Sequence, residues 1–347
     1  MPKTLKPPLS NLDFKPLVSW FRKNRRVLPW RKSRNPYSVL VSEIMLQQTQ
    51  VNTVIPYFEH FVSKFPNLKT LAKASEQEVL SAWQGLGYYR RAKNLHLLAR
   101  SVKELPTRAA ELRELPGVGE YTAGAIASIA FGEKVACVDG NVERVMSRLS
   151  CDKTTGSELR KNSKLGIESV FSNGCQSPGE VNEALMELGA LVCKPADPKC
   201  DICPLASQCK AFQTNKTSEF PVRKPDAKPI QLTHICVVPI SNGSVGLRQI
   251  PEGKWWGGMW EFPRAEKEKS QSIESCIQEL GFKKVTPFLE HKHAVTNYRI
   301  TLKVFVANQI PKTLDCYSLE ELQSLPMPAP QRLVVKKLLT SDFLTNC

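Results

Sequence analysis

The stretch Leu115-Pro-Gly-Val-Gly-Glu-Tyr121, with the small-residue run that follows it to Phe131, constrains this chain more than any other passage. Gly117 and Gly119 permit a tight turn with no side chains between the backbone and a ligand. Residues 121–131 then read as a helix of small side chains, and backbone N–H groups at such a helix start can hold a phosphate. A bare Gly-x-Gly carries little weight alone, so the surroundings matter. About twenty residues on, Val138-Asp139-Gly-Asn-Val142 supplies a carboxylate. Asp139 also fits an ordinary N-cap for a helix over 141–149.

Composition narrows the partner. A chain of 347 residues with 41% hydrophobic content can bury two or more compact cores. Its net charge is +15, and residues 1–100 hold 17 Lys/Arg against 5 Asp/Glu. A polyanion is the natural partner for that concentration, against the plain alternative of a basic surface that serves solubility. No apolar run approaches the ~20 residues a membrane span needs, so no membrane partner is expected. Residues 1–10 are rich in Pro and Lys without a signal-peptide core, which points to a reducing compartment.

Residues 14–220 read mainly as helices: Tyr37, Leu40, Val41 and Ile44 share one face, as do Val142, Val145, Met146 and Leu149. Phe220-Pro-Val-Arg-Lys-Pro-Asp-Ala-Lys-Pro229, with three prolines in ten residues, reads as a linker. Beyond it, 232–240 and 298–306 look like strands and 272–280 like a helix, which predicts a small α+β domain.

Four of the eleven cysteines fall as Cys193-x6-Cys200-x2-Cys203-x5-Cys209. Such spacing can wrap four thiolates around one centre. Disulfides are the poorer reading, since neither compartment nor chain size calls for them. A single C-x2-C flanked by longer loops matches a cubane cluster better than the paired knuckles of zinc, though spacing alone leaves zinc open. Glu43 is the other singular group. It lies to one side of the apolar stripe of its helix, where it could face a cleft, whereas an isolated helical Glu is usually a solvated face residue.

Leu-Pro-Gly-x-Gly before Thr-Ala-Gly-Ala-Ile-Ala, with Asp139 at its distance, resembles the helix-hairpin-helix DNA glycosylase superfamily. Leu28-Pro-Trp-Arg31, Pro36-Tyr37, Ser42-Glu-x-Met-Leu-Gln-Gln-Thr-Gln-Val51 and Gly85-Leu-Gly-Tyr-Tyr-Arg90 resemble the adenine DNA glycosylase (MutY-type) family. With the hairpin and cysteines, the resemblance covers about residues 17–215. The cysteine spacing is also that of the [4Fe-4S] motif in endonuclease III and adenine glycosylases, so the resemblance implies one [4Fe-4S] cluster on Cys193, Cys200, Cys203 and Cys209.

The resemblance implies a mainly α glycosylase region and a small α+β Nudix-like C-terminal domain. Residues 1–28 with 137–220 would form the iron–sulfur cluster domain, and 29–136 a six-helix domain with the helix-hairpin-helix. Residues 221–229 would be the linker and 230–347 the lesion-recognition domain. The implied activity is hydrolysis of the N-glycosidic bond of adenine mispaired with 8-oxoguanine or guanine in double-stranded DNA. A monomer in the bacterial cytoplasm, associated with the nucleoid, is the expected setting.

Such hydrolysis needs a proton for the departing base and stabilisation of an electron-poor sugar carbon, much as glycosidases use two carboxyl groups. By position, the family implies Glu43 as the acid and Asp139 as the group that stabilises the sugar cation. Tyr121 and Asn141 would orient them, and Glu183 would assist acid catalysis. Relatives that cut DNA through a Schiff base usually carry lysine at position 121, and a tyrosine cannot form the imine. That argues against the endonuclease III-like glycosylase and lyase alternative. Gln48 and Tyr88 would enter the duplex as the base flips out, and Trp30, Arg26 and Leu46 would line the adenine pocket.

In the C-terminal region, Trp260-Glu-Phe-Pro263 and Glu279-Leu-Gly281 are Nudix landmarks, but Ser275-Cys-Ile-Gln-Glu-Leu280 lacks the paired Glu residues of a working Nudix hydrolase. Recognition is therefore expected, not hydrolysis. Where relatives commonly carry Phe-Ser-His in the lesion-reading loop, this chain has Val295-Thr296-Asn297. Thr296 keeps the hydroxyl.

Overall fold

Asn35 fixes the start of the helix that carries Glu43: its side chain accepts from the backbone N–H groups of Tyr37 and Ser38, with Pro36 in the first turn. The computed structural model describes residues 12–174, 177–222 and 228–341. Most of the expected linker, 223–227, and the first eleven residues of the expected cluster domain lie outside them. Contacts divide the chain into two units, one of residues 1–73 with 94–225 and one of 74–93 with 226–347.

The first unit is helical. Its helices include Lys15–Asn24, Pro36–Leu46, Val51–Lys64, Glu120–Phe131, Gly140–Ser150, Ser157–Ser172 and Pro178–Leu191. Leu17, Phe21, Val142, Val145, Met146, Leu149, Ile167, Phe171, Val181, Leu185 and Leu188 share one core, so four of those helices close on each other. The Glu120–Phe131 helix packs on Pro36–Leu46 and on Pro178–Leu191. Its Ala123, Ala125, Ile126 and Ala127 are fully buried there. Gly189 allows Pro178–Leu191 to approach the Gly140–Ser150 helix closely, since a Cβ there would stand 2.6 Å from Asn141 Cβ.

The expected stripe of Tyr37, Leu40, Val41 and Ile44 is buried, but so are Val39, Ser42 and Met45. The helix is enclosed nearly all round, not on one face. Glu43 is buried with it.

Among the described residues, the second unit holds a seven-stranded sheet. Its strands are β1 (Ile230–Ser241), β2 (Ser244–Gln249), β3 (Trp260–Glu261), β4 (Arg264–Glu266), β5 (Thr286–Val295), β6 (Tyr298–Ala307) and β7 (Asp315–Ser318). The order is β3-β2-β1-β6-β5, with β4 on β1 and β7 on β2. The β1–β6 pair is parallel and the others are antiparallel. Cys236, Val238 and Ile240 of β1 belong to one core with Val334, Val335 and Leu338, while Ile235 and Val237 belong to another with Cys276 and Ile277. A central strand covered by helices on both faces reads as an unbroken apolar run, which is what residues 235–240 present.

In the 74–93 segment, Ser75 and Glu78 form a capping box. Lys93 Nζ pairs with Glu76 at 2.9 Å and Glu252 at 2.5 Å.

Candidate active site

Glu43 is 7% exposed, and its Oε2 is buried with no hydrogen-bond partner. Burial raises its pKa to about 7, and the neighbouring charges of Asp139 and Glu183 push the same way. The Tyr121 hydroxyl and the Arg31 guanidinium oppose the rise without cancelling it. A carboxyl group in this state still carries a proton near neutral pH and can donate it.

Asp139 is the N-cap that its local sequence suggested. Its Oδ1 accepts from the backbone N–H of Val142 at 2.8 Å, which caps the Gly140–Ser150 helix, and its Oδ2 accepts from Asn141 Nδ2 at 3.0 Å. Asn182, wholly buried, anchors the approach to Asp139: it accepts from Cys137 N at 3.2 Å and donates to Val135 O and Ser128 Oγ, each at 2.9 Å. The Tyr121 hydroxyl donates to Met186 Sδ at 2.9 Å. Burial, with Glu43 the nearest charge, holds Tyr121 well above the usual phenol range, so it stays neutral.

Glu183 lies on the Pro178–Leu191 helix between two other carboxylates, Glu180 and Glu187. Arg31 Nε reaches Glu183 at 3.1 Å, and its Nη2 reaches Glu187 at 3.1 Å. Arg26 grips Glu187 with Nε at 2.9 Å and Nη2 at 2.8 Å, and Arg34 reaches Glu183 at 3.4 Å. Burial alone would raise Glu187, but the hydrogen bonds from Arg26 and Arg31 bring it down to about 2. Burial does win at Glu183, which is raised despite Arg31 and Arg34.

Glu43, Tyr121, Asp139, Asn141 and Glu183 are thus brought together. Arg26 borders them through its bonds to Glu187. Trp30 is buried and packs edge-on to Phe58, with ring centroids 5.3 Å apart, and Leu46 is half-buried at the end of the Glu43 helix. Gln48 is exposed with φ of +58°, and Tyr88 is 43% exposed with φ of +48°. Neither is a glycine, and both hold a strained backbone that presents a side chain to solvent. Tyr89, by contrast, is a core residue at 4% exposure. Gly117 takes φ of +77°, and Gly119 is the N-cap of the Glu120–Phe131 helix. Thr296 stands exposed at the β5–β6 turn with φ of +48°.

Sequence reasoning passed over Arg31, Arg144, Met186 and Glu187. A signal for two of them was present: Glu180, Glu183 and Glu187 recur at three and four residues, one face of a helix, while Arg22, Arg26, Arg31 and Arg34 cluster near the start of the chain. Nothing local pairs the two sets, which lie some 150 residues apart.

Cys193, Cys203 and Cys209 pack against the helical core of the first unit. Burial first, then the neighbouring thiols of Cys193, Cys209 and Cys200, push Cys203 up to about 11, so all four stand in one electrostatic neighbourhood. Arg148, 2% exposed, donates to Cys193 Sγ at 3.3 Å and to the carbonyls of Lys194, Pro195, Thr217 and Phe220. Among the described residues no three His, Cys, Asp or Glu side chains are spaced to share one metal ion. A cubane takes one thiolate at each of four irons, a wider arrangement than a single ion demands. The all-sulfur donor set and the adjacent guanidinium fit such an anionic cluster.

The helical fold, the glycine turn and the converging carboxyl groups define a helix-hairpin-helix DNA glycosylase. The family model described as HhH-GPD superfamily base excision DNA repair protein matches residues 41–168, and that of the Nudix domain matches residues 234–337. Adenine DNA glycosylase of Buchnera aphidicola subsp. Baizongia pistaciae is 32% identical over 342 residues, 94% of this chain and 96% of that one. The Homo sapiens adenine DNA glycosylase is 36% identical over 326 residues, 76% of this chain and 60% of the human one. A solved thermostable thymine-DNA glycosylase superposes with a TM-score of 0.53 at 28% identity, covering 57% of this chain and 94% of its own. The chain belongs to the adenine DNA glycosylase family. No helix among the described residues is long and apolar enough to cross a membrane.

Proposed function

We propose that this chain hydrolyses the N-glycosidic bond of adenine mispaired with 8-oxoguanine or guanine in duplex DNA, and leaves the strand uncut. The observation that carries the reading is Glu43, a buried carboxyl raised to about 7 beside Asp139. Glu43 donates its proton to the departing adenine and then takes one from the attacking water. Asp139, fixed by Val142 N and Asn141 Nδ2, holds its carboxylate against the positive sugar carbon. Glu183 keeps the protonated form of Glu43 favoured through its own charge.

Gln48 and Tyr88 supply the groups that fill the space left by the flipped base. Trp30, Leu46 and Arg26 bound the adenine pocket, and backbone N–H groups at Gly117 and Gly119 receive a phosphate. Thr296 of the 230–347 domain reads the opposite base. Residues 29–136 act as the six-helix domain, 1–28 with 137–220 as the cluster domain, and 221–229 as the linker. Cys193, Cys200, Cys203 and Cys209 would hold one [4Fe-4S] cluster, which when bound ties the 193–209 loop into a fixed shape. A monomer in the bacterial cytoplasm, at the nucleoid, fits the basic surface.

The test is a single-turnover incubation with a duplex carrying adenine opposite 8-oxoguanine, analysed with and without alkali, beside one carrying an oxidised pyrimidine. Breaks at adenine only after alkali are expected. Spontaneous nicking at the pyrimidine would overturn the assignment.

A further inference from the structure

A tyrosine hydroxyl has one proton to donate and two lone pairs to accept with. In Tyr121 that proton is directed at Met186 Sδ, 2.9 Å away, while the same oxygen lies within reach of the Glu43 carboxyl. Met186 sits on the Pro178–Leu191 helix three residues after Glu183, half-buried against the core. A thioether is a weak acceptor and a charged carboxylate a strong one. With Glu43 ionised, the Tyr121 proton would turn to the carboxylate. With Glu43 protonated, the carboxyl is itself a donor, and the Tyr121 proton needs another partner.

We propose that Met186 is a positioning residue for the general acid: its sulfur takes the Tyr121 proton while Glu43 is protonated, which leaves a Tyr121 lone pair to accept from the Glu43 O–H. When Glu43 gives its proton to the departing base, the hydroxyl rotates from sulfur to the new carboxylate. No covalent bond other than the Glu43 O–H is made or broken in this exchange. The inference rests on the reading of Glu43 as the acid given above.

The other groups that face Glu43 are Asp139 and Cys137 on the segment before the Gly140–Ser150 helix, Glu183 on Pro178–Leu191, and Arg31 on the Pro29–Arg31 turn. Asp139 and Glu183 oppose a negative charge on Glu43, and Arg31 favours one. Met186 carries no charge. It acts only on the direction of one hydroxyl, and only in the protonated state.

The test is the pH profile of single-turnover adenine excision by the full chain. Met186→Leu keeps the volume and removes the acceptor. The low-pH plateau should stay within about twofold, while the alkaline limb should move down by ~0.5–1 pH unit, since one hydrogen bond to the protonated state is lost. Met186→Gln, whose side-chain carbonyl accepts, should return the limb to its original position. In a Tyr121→Phe background, Met186→Leu should shift nothing further.

An unmoved limb in Met186→Leu, or a shift that survives in Tyr121→Phe, would overturn the proposal. Glu43→Gln separates it from its premise. Full turnover with an unchanged alkaline limb in that variant would remove Glu43 as the acid and this role of Met186 with it.

Discussion

Arg144 Nε donates to the backbone carbonyl of Cys193 at 2.8 Å, and Nη2 of the same guanidinium donates to Asn141 Oδ1 at 2.8 Å. Asn141 in turn donates to Asp139 Oδ2 at 3.0 Å. One side chain, three residues beyond Asn141 on its helix, therefore joins the first cysteine of the quartet to the carboxylate of the site. Further bonds to Gly189 O at 2.9 Å and Gly140 O at 3.4 Å make Arg144 a four-way brace at 9% exposure.

Replacing that brace should disturb chemistry and loop together. Lysine cannot reproduce the planar fork, so Arg144→Lys leaves Asn141 Oδ1 and two buried carbonyls short of donors. A loss of ~2–3 kcal/mol in unfolding free energy is expected, with an excision rate at least tenfold lower and duplex affinity little changed. Chemical denaturation and single-turnover kinetics on the same preparation check this. A wild-type rate in the lysine variant would show that Asp139 does not depend on the brace.

Glu43 gives stability a pH dependence of definite sign. Its folded pKa of about 7 lies above the ordinary carboxyl value of 4.5, so its contribution is fully present below pH 4.5 and is lost as pH rises toward 7. Across that window the unfolded chain ionises while the folded chain keeps its proton. Relative to Glu43→Gln, the parent protein should lose about 3 kcal/mol of stability between those limits, an order of magnitude set by the linkage relation. Unfolding midpoints of both proteins across the window test it. Parallel curves would mean that Glu43 is hydrated and already charged near neutrality.

The two glycines of the turn should separate cleanly. Gly117 combines φ of +77° with a position where a Cβ would lie 2.6 Å from Asn94 Cβ, so Gly117→Ala should destabilise by ~1–3 kcal/mol. Gly119 has φ of −85°, and a Cβ there meets nothing within 4 Å. Gly119→Ala should therefore leave folding unharmed, or stabilise it slightly. If bare backbone at the helix start receives a phosphate, the same substitution should weaken duplex binding several-fold. Unchanged affinity in Gly119→Ala would detach that residue from the DNA interface.

How far the sequence disclosed the site follows from where each contact lies. Asp139 was legible because a cap is local: Asp139 and Val142 are three residues apart, with Gly140 between them. The helices followed from apolar spacing, and the strands from β-branched runs. The burial of Glu43 was not legible, because amphipathic spacing predicts a free face, while the helix is enclosed by partners from 120–131 and beyond. The Arg26 and Arg31 bonds to Glu187 were hidden for a similar reason: charge pairing across 161 and 156 residues has no signature in either segment. Met186 gave no sign at all, since a methionine in a helix is usually core packing.

The turn between β5 and β6 allows stability and recognition to be separated. Val295 pairs with Tyr298, so Thr296 and Asn297 form a two-residue connection, and Thr296 holds φ of +48° although its Cβ is branched. Two-residue turns with positive φ at the first position favour glycine there. Thr296→Gly should relieve the strain and raise stability by ~1 kcal/mol. If the Thr296 hydroxyl reads the base opposite adenine, that variant should also lose part of its preference for 8-oxoguanine over guanine. Thr296→Ser, which keeps the hydroxyl without the branch, should retain it. Excision rates of all three proteins on duplexes with adenine opposite either base decide the matter, and full preference in the glycine variant would move lesion reading away from residue 296.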